Sequence, residues 1–304
     1  MMRSILLGLS RSKRLARWVT SNATTRRMAR RFVAGEELDD AIAAARACNK
    51  AGMMVSLDHL GENVTGEADA RRACDTYLAI FDRIAGEKLD ANVSLKLTQL
   101  GLNLSEGLCQ RLVEEVVARA AGYGNFVRVD MEGSAYTHRT IELVKRVRAQ
   151  SPAVGAVIQA YLYRSEQDVK DLLRIGCRIR LCKGAYKESP EIAFPRKAEV
   201  DANYVKLMWL LLSSGIYHSI ATHDPRMIAA TLRFAAEHSV GKDQFEFQML
   251  YGIRTDLQRK LVRDGYPLRV YIPYGRDWFP YFMRRLAERP ANLMFFVRNL
   301  FRGT

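Results

Sequence analysis

The sequence predicts an α/β protein built as a (β/α)8 barrel of distorted TIM-barrel type, with a helical arm before it and a helix after it. Three observations carry this. Short apolar runs alternate with helical patterns along most of the 304 residues, the alternation that produces a parallel sheet. Eight such units follow one another, as many as close a barrel of about 250 residues and more than an open doubly wound sheet normally shows. No GxGxxG follows a strand. The nearest approach, GYGN at Gly122, precedes one, which disfavours a dinucleotide-binding open sheet.

Residues 1–50 read as a basic arm, 51–290 as the barrel and 291–304 as a helical tail. Nine basic side chains precede residue 36, and Glu36 is the first acidic one. Such a start suits a transit peptide, a helix drawn to anionic lipid, or a solvated helical arm. Leu38, Ile42, Ala45 and Cys48 then recur at helical spacing, and Gly52 stops that helix. Strands are predicted over 53–62, 91–97, 126–131, 155–161, 177–182, 215–222, 246–250 and 268–272. The helices between them are predicted over 68–84, 104–121, 140–148, 167–175, 201–213 and 255–263, with one more opened by Pro225, a residue suited to a first turn. In the tail, Leu293, Phe296, Val297 and Leu300 form one stripe, fit to cap the barrel or to touch a membrane.

Composition narrows the class. Apolar content of 48% with 26% charged residues is that of a globular protein, and no run of about eighteen apolar residues is present. Five cysteines, odd in number and without a CxxC, point to a reducing compartment and away from a disulfide framework. The net charge of +14 could attract nucleic acid. No zinc-finger spacing, RNP-like motif or long Lys-Arg run supports that, and no nucleic-acid partner is expected. Five histidines without HExxH spacing make a metal site improbable. No GxSxG elbow is present.

The functional signal is a set of polar residues near strand ends: Lys96, Asp130, Gln159, Arg180, Lys183, Thr222 with His223, Gln248 and Tyr271. One charged residue in an apolar strand commonly snorkels outward or pairs locally. Repetition from the second strand to the last instead suggests a polar pocket at the C-terminal end of a barrel. Lys96 and Asp130 suit an ion pair, and Lys183, Gly184 and Ala185 suit a phosphate. Beyond the last strand, Arg284 and Arg285 stand side by side on a helix among aromatics. Two guanidinium forks suit a small carboxylate, the alternative being a solvated basic face. Lys96 could also serve as the Schiff-base lysine of an aldolase, with Asp130 moving protons. A flavin-dependent reductase of another small substrate, or a basic lipid-binding or nucleic-acid-binding protein, are further alternatives.

SLDHLGE, NVSLKLTQLG, VRVDMEG, VIQAY, RLCKGAY, ATHD, FEFQMLYG and YIPYG followed by RRLAERPAN occur in this order from about Arg31 to about Phe296. Together they resemble the proline dehydrogenase family. The resemblance implies a distorted (β/α)8 barrel that holds FAD, oxidises L-proline to Δ1-pyrroline-5-carboxylate and passes electrons to membrane quinone. By motif, Arg284 and Arg285 would hold the proline carboxylate, and Glu288, one turn after Arg284, would orient it or close the site. Lys96, Asp130, Tyr186, Leu250 and Tyr271 would line the substrate site. Asp130, Gln159, Arg180, Lys183, Gly184, Ala185, Thr222, His223 and Gln248 would sit against the flavin and its phosphates. Of these, Lys96, Asp130 and Arg180 would bear on catalysis, with no metal. The resemblance further implies peripheral contact with the inner face of a bacterial membrane, a mitochondrial location being the lesser alternative. The product would leave or pass to a separate pyrroline-5-carboxylate dehydrogenase.

Overall fold

The structure, a computed structural model, describes residues 19, 23–61, 64–186 and 188–288, without the side chains of residues 23, 24, 287 and 288. Strands β1 (Met54–His59), β2 (Ala91–Leu95), β3 (Val127–Val129), β4 (Val154–Gln159), β5 (Ile179–Cys182), β6 (His218–Ala221), β7 (Phe245–Leu250) and β8 (Leu268–Tyr274) form a closed barrel in chain order. Every pairing is parallel, and β8 closes on β1. This is the predicted fold.

Helices α1 (Ala23–Ala29), α2 (Leu38–Lys50), α3 (Glu67–Gly86), α4 (Glu106–Gly122), α5 (Ser134–Gln150), α6 (Ser165–Arg174), α7 (Lys197–Leu212), α8 (Pro225–Glu237), α9 (Thr255–Arg263) and α10 (Trp278–Glu288) accompany the strands. Local signals set several of the ends. Gly52 leaves α2 at φ +74, a conformation that glycine adopts without strain. Asp224 caps α8 by accepting the Arg226 N–H at 3.0 Å, and Pro225 stands in its first turn. Helix α5 begins six residues before its predicted start, and its cap comes from another part of the chain. Glu188 accepts from the Ser134 N–H at 2.8 Å and from its hydroxyl at 2.6 Å. A partner 54 residues away leaves no local pattern to read.

The helices do not simply ring the barrel in order. Helix α2, placed in the arm by the sequence, lies against β1 and β8 and buries Ala41, Ile42, Ala45 and Cys48 there. Helix α10, which follows β8, lies instead across the C-terminal end. Trp278, Phe279, Phe282, Met283 and Leu286 pack with Ala29, Phe32 and Val33 of the arm and with Leu60 and Ile253. The arm is tied to the barrel rim by Ala34 N–H to Pro273 O at 2.9 Å and Gly275 N–H to Gly35 O at 3.0 Å. Trp278 donates to Glu36 at 3.2 Å. Arg3, Arg11, Lys13, Arg14 and Arg17 of the arm, the tail stripe and the Glu288 side chain lie outside the described residues. Among those described, no helix is long and apolar enough to cross a membrane.

Residues paired in register share one side of a sheet. The pairs Ser56 with Tyr271, Asp58 with Ser94, Ser94 with Arg128, Arg180 with Ser219 and Ser219 with Glu246 therefore mark one face. Bonds across the barrel, such as Arg180 Nη2 to Ser94 Oγ at 2.9 Å, show that it is the interior. The interior is mostly polar, with Val157 of β4 an apolar exception. Near its base Glu246 pairs with Arg269 at 3.0 Å and accepts from Ser219 Oγ at 2.8 Å. Burial pushes the Glu246 carboxyl up, but Arg269, together with the hydrogen bonds from Gln248 and Ser219, holds the group below its usual range. Arg128 donates to the carbonyl of Arg178 at 2.6 Å, and burial, with Arg180 nearby, lowers its pKa to about 9. Mid-strand charges of this kind pair inside the barrel and do not snorkel outward.

His218 supplies a pH test of this arrangement. Its Nδ1 accepts the Ile179 N–H at 3.0 Å, and its Nε2 meets Ser214 Oγ at 3.0 Å. Burial, then the charge on Arg128, push its pKa down to about 3. A histidine in the unfolded chain titrates near ~6.5, so between these values the unfolded chain binds the extra proton. The stabilisation is complete above about pH 6.5 and is lost as pH falls, at up to about 1.4 kcal/mol per pH unit. Urea unfolding from about pH 7 to pH 5 should show this decline, and His218→Asn should flatten it. An unchanged slope in the variant would place the titration elsewhere.

Candidate functional site

A cavity of about 520 Å³ opens at the C-terminal end of the barrel, beneath α10. Lys96, Asp130, Gln159, Arg180, Lys183, Gly184, Ala185, Tyr186, Thr222, His223, Gln248, Leu250, Tyr271, Arg284 and Arg285 all line it. Strand ends from β2 to β8, the segments just after them and helix α10 thus bring together the residues predicted for the site. Glu288 is the exception, its side chain lying outside the described residues.

At one wall Asp130 is the hub. It accepts from Arg180 Nη1 at 2.7 Å through one oxygen and from the Tyr271 hydroxyl at 2.7 Å through the other. The Arg180 guanidinium lies 5.3 Å from the centre of the Tyr271 ring. Burial, with the Asp130 charge, holds the Tyr271 phenol well above its usual pKa, so it remains a donor. The expected Lys96–Asp130 pair is present but long, at 3.7 Å. A nearer partner, which the sequence did not supply, is Asp58 Oδ1 at 2.7 Å. Asp58 was missed because the strand-end set began with the second strand. Its place in an apolar run closing β1 is the same signal as at the other strands.

A second wall carries Gln159, which donates to the carbonyls of Met131 and Glu132, both at 3.3 Å. With its N–H bonds spent, its buried Oε1 has no hydrogen-bond partner among the described residues, nor has Arg180 Nε. Gln248 donates to Glu246, which joins the cavity to the base of the barrel. His223 Nε2 accepts the Leu250 N–H at 2.9 Å, so a neutral ring carries its proton on Nδ1. Lys183, expected at a phosphate, is bridged by Asp201 and by Asp224 at 2.9 Å. Next to it Gly184 has φ +109, and a Cβ there would stand 2.2 Å from the Tyr161 ring. Any larger residue there would be strained and would have to displace the Tyr161 ring.

Helix α10 supplies the lid of the cavity. Tyr281, Arg284 and Arg285 sit at i, i+3 and i+4 and therefore share a face. The Arg285 guanidinium lies 5.0 Å over the Tyr281 ring. Tyr281 was not singled out in the sequence, although that spacing would have found it. Cys182 also lines the cavity, and burial pushes its thiol up to about 12, so it offers no thiolate nucleophile. Among the described residues no group of three His, Cys, Asp or Glu side chains could hold a metal ion. The arrangement is that of a site which binds and orients a small charged molecule between fixed ion pairs.

A family model described as proline dehydrogenase matches residues 41–298. Proline dehydrogenase 1 of Bacillus subtilis subsp. natto is 41% identical over 300 residues, covering 99% of each chain. Proline dehydrogenase of Deinococcus radiodurans is 41% identical over 281 residues, covering 91% of each. Among solved structures, proline utilization A (PutA) from Bdellovibrio bacteriovorus, inactivated by N-propargylglycine, superposes with a TM-score of 0.82 at 29% identity. That match covers 87% of this chain and 33% of the other.

Proposed function

The chain belongs to the proline dehydrogenase family of oxidoreductases, and on that premise we propose that it oxidises L-proline to Δ1-pyrroline-5-carboxylate with FAD and delivers the electrons to membrane quinone. The observation that carries this reading is the convergence of the strand-end residues and of Arg284 and Arg285 on one cavity.

FAD, when bound, accepts the two electrons that leave the substrate's C5–N unit as a hydride equivalent. The residues fit such a group. Gln159 Oε1 and Arg180 Nε are buried at the cavity without partners among the described residues, and a flavin ring offers both an N–H and carbonyl oxygens to meet them. Arg180 also supplies a permanent positive charge beside a ring that becomes more negative on reduction. Gln248 and Thr222 lie along the same wall, with Lys183, Gly184, Ala185 and His223 toward the phosphates.

For the substrate, the chain's work is orientation. Arg284 and Arg285 grip the carboxylate with paired N–H donors. Lys96, Asp130, Tyr271, Tyr186 and Leu250 form the walls, Tyr271 and Leu250 giving the ring apolar surface. Glu288 is assigned to orienting Arg284. Transfer from C5 needs the amine in its neutral form and a fixed ring, so positioning carries much of the rate. No nucleophile is required, and a Schiff-base role for Lys96 loses support because Asp58 and Asp130 engage its ammonium.

The same proposal places the protein peripherally on the inner face of a bacterial membrane, with the basic arm or the tail making contact. The imine product calls for a dehydrogenase acting on pyrroline-5-carboxylate. The first experiment is a visible spectrum before and after L-proline without oxygen. Absorbance near ~450 nm that bleaches with proline is expected. A yellow protein that does not bleach would remove proline as substrate, and a colourless one that cannot be reconstituted would remove FAD.

A further inference from the structure

We propose that Asp58 is a positioning residue of this enzyme, acting through Lys96. Its side chain is wholly buried, with 0% of its surface exposed, at the C-terminal end of β1. Lys96 follows β2, and Asp58 pairs in register with Ser94, so the lysine stem must bend back for Nζ to reach Asp58 Oδ1 at 2.7 Å. The same ammonium stands 3.5 Å from the Tyr271 hydroxyl and 3.7 Å from Asp130 Oδ2. Groups from β1, β3 and β8 therefore define one location for a charge on an otherwise flexible four-carbon stem.

The charge count explains why a carboxylate is needed. Asp58 and Asp130 balance Lys96 and Arg180, all within one connected cluster. Removing Asp58 takes away the carboxylate nearest to Lys96 and leaves Asp130, at 3.7 Å, as the nearest one among the described residues. Loss of the nearest carboxylate disfavours the charged form of a buried lysine and releases its stem. A neutral amine in the substrate wall would be a mobile nucleophile. Asp58 holds the Lys96 Nζ in one place and favours its charged form. The dependence is mutual, since burial raises the Asp58 carboxyl and Asp130 adds to this, while the Lys96 ammonium opposes them.

The inference rests on the placement of Lys96 in the substrate wall. The test uses the full chain with Asp58→Asn, with Lys96→Met, and with both. Either single variant should lose about 100-fold in kcat/KM, mainly in kcat, the cost of a misplaced group in the site. The double variant should be no worse than Lys96→Met. Acetic anhydride at neutral pH, followed by mass spectrometry, should label Lys96 in Asp58→Asn and spare it in the unchanged protein. Losses that multiply in the double variant, or equal labelling of Lys96 with and without Asp58, would overturn the proposal. Full activity in Lys96→Met would overturn it through its premise, a failure that the labelling, made without substrate, keeps separate. If Asp58→Asn does not fold, the double variant against Lys96→Met decides, because both lack the lysine and the double leaves no buried charge unpaired by this change.

Discussion

Arg284→Lys is expected to raise KM for L-proline by about 30-fold while kcat falls much less. A charge-assisted hydrogen bond is worth about 2 kcal/mol, which is about 30-fold in binding. Lysine keeps the charge but presents a point where arginine presents a planar fork, so the second bond to the carboxylate is lost. A carboxylate grip is used equally in the ground state and the transition state, and losing it appears in KM. Arg285→Lys should cost more, because Arg285 is buried and its guanidinium lies over the Tyr281 ring, a contact that an ammonium does not reproduce equally. Steady-state kinetics with L-proline measure both. An unchanged KM in both variants would assign the two arginines to packing α10 over the barrel.

Asp130→Asn is expected to be the more severe change, lowering kcat/KM by about 100-fold or more. Each oxygen of Asp130 accepts from a different donor, Arg180 Nη1 and the Tyr271 hydroxyl, both at 2.7 Å. An amide keeps one acceptor and turns an NH2 toward the other donor. One bond is then lost and Arg180 is left in a buried place without its carboxylate, a loss on the order of 3 kcal/mol. The Tyr271 ring, which stacks under Arg180, would lose its anchor as well. Measured beside a thermal melt, the kinetics separate a lesion of the site from loss of the fold. Full turnover in a well-folded Asp130→Asn would remove Asp130 from the machinery and leave Tyr271 and Arg180 as independent walls.

Much of this was legible in the chain as read. Alternating apolar runs and helical stretches are local patterns, and a parallel barrel follows from them because each strand must be covered by the helix after it. The site residues were legible for a related reason. A polar side chain closing an apolar strand is conspicuous, and the barrel's C-terminal end gathers such positions. Tyr271, Arg180 and Gln159 announced themselves in this way. Arg284 and Arg285 did so by adjacency among aromatics.

The contacts across the barrel were not legible. Nothing near Lys96 in sequence selects Asp58 over Asp130, since both lie more than thirty residues away and only the tilt and register of the strands bring one within 2.7 Å. The same holds for the Glu188 cap on α5, for the Glu246–Arg269 pair and for the bonds of Arg128 to the Ala156 and Arg178 carbonyls, all of which depend on which face of each strand turns inward. Helix α10 is the clearest case. Its amphipathic pattern marks a buried face, but not that this face lies over the barrel mouth against Phe32 and Val33 of the arm while α2 covers the seam between β1 and β8. The sequence by itself determined the periodicities, and with them the barrel and the strand ends that face its mouth, because these depend on neighbours along the chain. Partner choice among buried charges, and the seat of α10, were decided by the tertiary structure, because they depend on distances that exist only once the barrel has closed.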